Sequence, residues 1–179
     1  MRTRIIVSLG FSLLLSACGG RVSVLSEIGL GDPLRAAAQD APFAYGRPGA
    51  VAGNPARAAW AAAEIEWFAN ALETDPLWST PRDATLQPVV QIARREVRQA
   101  LGIAPGVPPR VAIAALGSAA DALARGDRRA AEAALDAPGF PGGAATLARL
   151  GSVTRLPRVE EAAQALANEA NGPRGGERG

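Results

Sequence analysis

The sequence predicts an all-α protein, a small irregular bundle of about five or six antiparallel helices with no sheet. Apolar residues recur at intervals of three and four positions through residues 55–171, which is the spacing of one helical face. Pro, Asn, Asp and Gly stand where these periodic stretches begin and end, as helix caps require. No stretch shows the sustained two-residue alternation with β-branched residues that a strand needs.

Residues at the two ends of each stretch predict the helix boundaries. Asn54 and Pro55 begin a helix that runs to about residue 73, because Asn caps a helix N-terminus and Pro suits the first helical position. Gly102 ends the second helix and Asp127 caps the fourth. The further helices are predicted at residues 86–101, 110–125, 128–136, 144–150 and about 154–171. The third, apolar or small nearly all round, is expected to be the central one.

Composition divides the chain into four parts. Residues 1–17 have the features of a signal peptide that is removed, and residues 18–54 are predicted to form a tether. Within that tether a short helix is predicted over 33–38, with Asp32 as its N-cap. Residues 55–171 form the helical domain. Residues 172–179 contain no apolar side chain to bury and are predicted to be a disordered tail.

The residue types present exclude several classes of function. The chain has no His and one Cys, which excludes imidazole or paired-thiolate metal sites, His-based triads and an internal disulfide. All 19 basic residues are Arg, and without Arg2 and Arg4 the remaining Arg balance the 17 acidic residues. A neutral chain gives no electrostatic basis for binding nucleic acid. We therefore predict no cofactor, no metal and no nucleic-acid partner.

The N-terminus carries the sharpest motif. Arg2 and Arg4 precede an apolar run over residues 5–15, which is too short for a membrane-spanning helix of about 20 residues and suits a signal peptide. The segment Leu15-Ser16-Ala17-Cys18 then resembles the lipobox of bacterial lipoproteins, in which two small residues precede the Cys. The alternative is an ordinary secretory signal whose Cys is incidental.

The lipobox resemblance implies a lipid anchor at Cys18. In that family diacylglyceryl is transferred to the Cys sulfur, the chain is cleaved between Ala17 and Cys18, and the new amine usually receives a further fatty acyl chain such as palmitate. Two or three acyl chains suffice for stable anchoring. Gly19 stands where inner-membrane lipoproteins of enteric bacteria have Asp. The resemblance therefore implies the cell envelope, with the periplasmic face of the outer membrane favoured over the inner membrane.

Glu64 is the first candidate for chemistry. It falls within the apolar arc of the helix at 55–73, close to Trp60 and Trp67 at helical spacing. A carboxyl held against indole loses hydration, and its pKa rises towards the range of a general acid. The alternative is that Glu64 pairs with an Arg of a neighbouring helix or lies at the rim of the apolar arc. Glu66 is expected on the opposite, polar side of this helix.

Trp60, Trp67, Phe68 and Trp78 bring most of the aromatic content into one short region. Aromatic side chains supply the bulk that an Ala-rich bundle otherwise lacks, so burial in the core is the favoured interpretation. The alternative is an exposed platform on which a sugar or peptide stacks, with Trp60, Glu64, Trp67 and Trp78 as binding residues.

Two further patterns have plain alternatives. Arg94, Arg95 and Arg98 form a small basic patch, predicted to be a solvated helix face rather than a site for lipid phosphate. Residues 116–135 resemble the helix hairpin of tetratricopeptide-type repeats in their Gly126-Asp127 turn and small-residue spacing. A generic antiparallel helix pair explains the same pattern, because stacked repeats need about three copies.

The functional hypothesis is a membrane-anchored, periplasm-facing lipoprotein of non-catalytic scaffold or accessory type, with an envelope protein as its partner. It needs no catalytic group, and the chain presents no catalytic constellation. Two alternatives stay open. One is a periplasmic sugar- or peptide-binding module that uses the aromatic residues, and the other is an enzyme with Glu64 as general acid.

Overall fold

A computed structural model describes residues 32–172. Several predicted features lie outside the described residues. They are the signal peptide at 1–17, the cleavage site between Ala17 and Cys18, the lipid attachment site at Cys18, and all of the tail at 172–179 except Gly172. Over the described residues the chain forms helices and no strand, which confirms the predicted all-α class. None of these helices is both long and apolar enough to cross a membrane.

Seven helices follow one another over the described residues. Their bounds are α1 Pro33–Ala44, α2 Pro55–Thr74, α3 Leu86–Leu101, α4 Pro109–Ala124, α5 Arg128–Leu135, α6 Gly143–Ser152 and α7 Pro157–Asn171. The number exceeds the predicted five or six because α1 is a full helix of 12 residues.

The caps expected from the sequence form where they were predicted. The Asp32 side chain accepts hydrogen bonds from the backbone N–H groups of Leu34 and Arg35, and Asn54 accepts one from Arg57. Asp127 caps α5 in the same way. Gly102, with φ of 72°, ends α3 in the left-handed conformation that glycine adopts without steric penalty.

The centre of the domain is α2. It packs most extensively against α4 and also contacts α1, α3 and α6, so 12 of its 20 residues are buried. The prediction that the helix at 110–125 is central is therefore wrong: α4 has six buried residues, and its Ala114 and Ser118 are exposed. Alanine covers much of α2, and its small side chain lets neighbouring helices approach from several directions.

The domain begins earlier than the sequence predicted. The structure contradicts a tether over the whole of 18–54, because α1 packs against α7 with Leu34, Ala38 and Ala41 buried. The loop that follows buries Tyr45 and Val51 as well. The Pro- and Gly-rich composition of residues 42–55 hides these positions, since isolated apolar residues in a loop have no periodicity to reveal them.

The chain after α3 forms a second layer against α2. Here α4 and α5 are joined by a turn at residues 125–127, in which Gly126 has φ of 77°, and α5 packs against both α4 and α6. Residues 116–135 thus form a pair of packed helices, as either interpretation of that segment required. The last helix, α7, returns to pack against α3 and α1.

Candidate functional site

Glu64 lies on α2 beneath the end of α1. It is 8% exposed, and its Oε2 atom is buried with no hydrogen-bond partner among the described residues. Burial raises the pKa of the Glu64 carboxyl to about 7, because a carboxylate loses hydration in this environment. The nearby Tyr45 hydroxyl lowers that pKa, and the negative charge of Asp40 raises it. Within residues 32–172 no salt bridge joins Glu64 to an Arg, contrary to the alternative interpretation.

Tyr45 forms the other half of this buried pair. It follows α1 directly, is 1% exposed, and stands edge-on to Trp60 with ring centroids 5.8 Å apart. Burial, followed by the charge of Glu64, raises the pKa of Tyr45 well above its usual value. The Tyr45 hydroxyl lies beside the Glu64 carboxyl, yet its oxygen makes no well-formed hydrogen bond to a described residue. The two groups are poorly satisfied in a region that excludes water.

The four aromatic residues singled out from the sequence do not share one surface. Phe68 is fully buried and contacts Trp67 and Trp78, with centroid separations of 5.8 and 5.9 Å. Trp78 is 6% exposed and Trp67 is half-buried against the core. Trp60 stands apart, 38% exposed and in contact with Tyr45. The arrangement is mainly core, with one indole at the surface, and no four-residue platform is formed.

Glu66 occupies a place that the sequence prediction did not allow for. It is fully buried, and two guanidinium groups of α3 hold it: Arg98 through Nε and Nη2, and Arg94 with its Nε 2.9 Å from Oε2. Arg98 also donates to the carbonyl of Pro105 at 2.6 Å. The prediction that Glu66 lies on a polar helix face is therefore wrong. The prediction of a solvated basic patch is wrong for Arg94 and Arg98. Of the three Arg in that patch, only Arg95 is exposed.

A cleft of about 210 Å³ opens where the chain enters α1, and we refer to it as the Trp78 cleft. Its residues come from the start of α1, the loop between α2 and α3, and the end of α7. Those with side chains suited to binding are Asp32, Arg35, Leu77, Trp78, Arg82 and Glu169. Sequence reasoning had selected Trp78 alone, because the other residues lie far from it along the chain and carry no motif.

The polar groups of the Trp78 cleft hold its parts together. The Trp78 indole N–H donates to Asp32 Oδ2 at 3.1 Å, which connects the α2–α3 loop to the start of α1. Glu169 accepts from the backbone N–H groups of Arg82 and Asp83, while Arg82 Nη2 donates to the carbonyls of Asn168 and Glu169. The bonds to Asn168 and Glu169 span more than eighty residues of sequence, the bond between Trp78 and Asp32 spans 46, and together they give the cleft a defined shape.

The two candidate regions differ in what they can do. Neither the Trp78 cleft nor a shallower cleft beside Arg82 and Glu161 includes Glu64. Glu64 therefore has a raised pKa but lies outside both of these clefts. Within residues 32–172, no group of three or more His, Cys, Asp or Glu is placed to hold a metal ion.

Comparison of this chain with known protein families, curated proteins and solved structures finds no match.

Proposed function

We propose that this chain is a bacterial lipoprotein, anchored in the envelope through acylated Cys18, whose helical domain is a non-catalytic scaffold or accessory subunit. The observation that carries the proposal is Leu15-Ser16-Ala17-Cys18, placed directly behind a charged start and an 11-residue apolar run. Cys18 is the only Cys in the chain. Gly19 after it supports the periplasmic face of the outer membrane over the inner membrane.

The position of the folded domain is consistent with such an anchor. Thirteen residues separate Cys18 from Asp32, where the described part begins. Even fully extended, this segment spans at most about 50 Å. An anchor at Cys18 would therefore keep the start of α1 within about 50 Å of the bilayer surface.

The interior of the domain supports a non-catalytic role. Its fully buried carboxylate, Glu66, is neutralised by Arg94 and Arg98 and stabilises the packing of α2 against α3. Neither the Trp78 cleft nor the cleft beside Arg82 and Glu161 includes Glu64. Glycosidase chemistry needs a second carboxylate about 5–9.5 Å away with space for a sugar between them. Two large apolar side chains lie exposed on the surface of the domain, Phe43 at 73% and Leu77 at 74% exposure. These two side chains are the positions at which contact with a partner protein is tested below.

Metabolic labelling with an alkyne-tagged fatty acid tests the anchor. Wild-type chain should take up label, and Cys18→Ser should abolish the labelling and leave an unprocessed or mislocalised precursor. The matched control is Ser26→Ala, which lies outside the motif and should retain full labelling. Label that persists on Cys18→Ser would refute the assignment.

The accessory role is tested separately, by crosslinking in intact cells at Phe43 and Leu77. A defined partner should crosslink at one of these positions and be lost with Phe43→Asp or Leu77→Asp, while Ala114→Asp on an exposed part of α4 leaves it unchanged. Equal loss in all three variants would show that no specific surface is involved.

A second candidate, a ligand-binding module, is favoured by one observation: the Trp78 cleft combines an indole wall with two guanidinium groups. Binding in the Trp78 cleft does not require that Trp60, Trp67, Phe68 and Trp78 form one surface.

A further inference from the structure

We propose that the Trp78 cleft binds a carboxylate that carries a small apolar group, such as the C-terminal residue of a peptide. The inference deepens the ligand-binding candidate and is independent of the lipid anchor. It rests on the charge, the shape and the apolar wall of the cleft.

The positive charge comes from Arg35 and Arg82, which stand on two different segments. Arg35 is half-buried, and its Nε is buried with no acceptor among the described residues. Arg82 is held by Glu169 and by the end of α7, and 43% of its side chain remains exposed. Planar guanidinium groups of this kind recognise carboxylates through paired N–H donors. A ligand carboxylate would therefore add a charge-assisted bond to Arg35 Nε, for which residues 32–172 supply no acceptor.

The acidic residues of the cleft restrict the charge of the ligand. Asp32 Oδ1 accepts from the first turn of α1 and Oδ2 accepts from Trp78, while Glu169 accepts from the backbone at residues 82 and 83. Both carboxylates are thus used to position the walls. Their charges remain close by, so a singly charged carboxylate is accepted more readily than a phosphate dianion.

The rest of the wall is apolar. Trp78 lies behind the cleft with Leu77 at its rim, and Pro81 and Ala170 complete the lining. The volume of about 210 Å³ is below the roughly 300–1,000 Å³ of pockets that enclose drug-sized molecules. The cleft therefore has space for about one small residue, which is the end of a peptide rather than its length.

The Trp78 indole N–H offers a direct readout, because it donates to Asp32 inside the cleft. The protein to be used is the full chain carrying Cys18→Ser, purified in mild detergent. Its nitrogen–proton correlation spectrum should contain three indole signals, one for each Trp, and single Trp→Phe variants would assign them. Acetyl-alanine should shift the Trp78 signal with a Kd of about a millimolar, as expected for so small a ligand. Acetyl-alanine amide and inorganic phosphate should shift it at least about tenfold less strongly.

Two variants, each with a matched control, test the proposed contacts. Arg35→Gln should weaken acetyl-alanine binding at least about tenfold, while Arg95→Gln, an exposed Arg outside the cleft, leaves it unchanged. Gly172→Ala places a methyl group against the Arg82 guanidinium and should displace it, whereas a methyl group at Gly106 meets open space. Gly172→Ala should weaken binding and Gly106→Ala should not.

The outcomes separate this inference from the other proposals. Equal shifts from the acid and its amide, a stronger response to phosphate, or full binding by both Arg35→Gln and Gly172→Ala would each overturn it. If Arg35→Gln does not fold, Gly172→Ala decides the matter. Because acylation is absent from the protein used, failure here leaves the lipid-anchor result unaffected.

Discussion

Arg98 on α3 binds Glu66 on α2 through two parallel hydrogen bonds, Nε to Oε1 at 2.5 Å and Nη2 to Oε2 at 2.8 Å. Glu66 is fully buried and Arg94 contacts the same carboxylate, so two positive charges surround one negative charge in the interior. A third N–H of Arg98 donates to the carbonyl of Pro105, which leads from α3 towards α4. The group connects three successive parts of the domain.

Removing the central charge of this group should be strongly destabilising. Glu66→Gln leaves two guanidinium groups without their counter-charge, and breaking a buried pair costs about 3–5 kcal/mol of the free energy of unfolding. The control is Glu161→Gln on α7, whose ion pair with Arg158 is more than half exposed on both sides and is expected to contribute under about 0.5 kcal/mol. Urea denaturation followed by circular dichroism measures both. Similar midpoints for the two variants would contradict the buried role of Glu66.

Glu64 should make stability depend on pH in the direction opposite to most carboxyls. Its pKa is raised from 4.5 to about 7 in the folded chain, so its contribution is fully present below pH 4.5 and is lost as pH rises through about 7. Glu64→Gln cannot ionise, and it should therefore gain about 2 kcal/mol relative to wild type between about pH 5.5 and 8.5. Paired denaturation curves at several pH values give this difference. Glu73→Gln, an exposed site on the same helix, is the control, and a pH-independent difference for Glu64→Gln would count against a raised pKa.

The aromatic residues should differ from one another in both stability and accessibility. Trp78→Ala opens a cavity beside Phe68 and removes the bond to Asp32, so it should cost about 3–5 kcal/mol. Trp60→Ala removes a side chain that is 38% exposed and should cost about 1 kcal/mol. Iodide should quench the fluorescence of Trp60 most readily, that of Trp67 less and that of Trp78 least. Variants that keep a single Trp each allow the three positions to be measured separately. Equal quenching at all three positions would show that the indoles share an exposed surface after all.

Removing the segment assigned to the tether should weaken the domain. A chain that begins at residue 55 loses the buried side chains of α1 and of the loop after it, which are Leu34, Ala38, Ala41, Tyr45 and Val51. At about 1.5–3 kcal/mol for each large apolar side chain, the loss should be about 5 kcal/mol or more compared with a chain that begins at residue 32. Thermal unfolding of the two chains measures it. If the two chains unfolded at the same temperature, the predicted boundary between tether and domain at residue 54 would be correct after all.

Local signals predicted most of the helices because caps act within one turn. Asn54 with Pro55, Asp127 and Gly102 each end or begin a helix through a bond to a backbone group three or four residues away. On α3, Leu86, Val90, Ala93, Val97 and Leu101 likewise repeat at helical spacing and are all buried, and Val89 and Ala100 are partly buried beside them. These features depend on sequence neighbours alone.

Other features depend on partners that are distant along the chain. Glu96 on α3 accepts hydrogen bonds from the backbone N–H groups of Arg158 and Val159 and so caps α7, which has no capping side chain of its own. The Trp78 cleft likewise brings residues 32, 82 and 169 together. Neither arrangement has a signal in the spacing of residues, because the contacts exist only once three separate segments have packed.

The sequence by itself determined the all-α class, most helix ends and the lipobox-like motif at Leu15–Cys18, all of which are written in short stretches of chain. Tertiary structure alone decided which polar groups are buried. A charged side chain leaves water only when a partner is supplied to it, and the partners of Glu66 come from a different helix. The Ala-rich α2 accepts neighbours on nearly every side, so its periodicity placed Glu64 on the apolar arc but could not show that Glu66, on the opposite side, lies inside the domain as well.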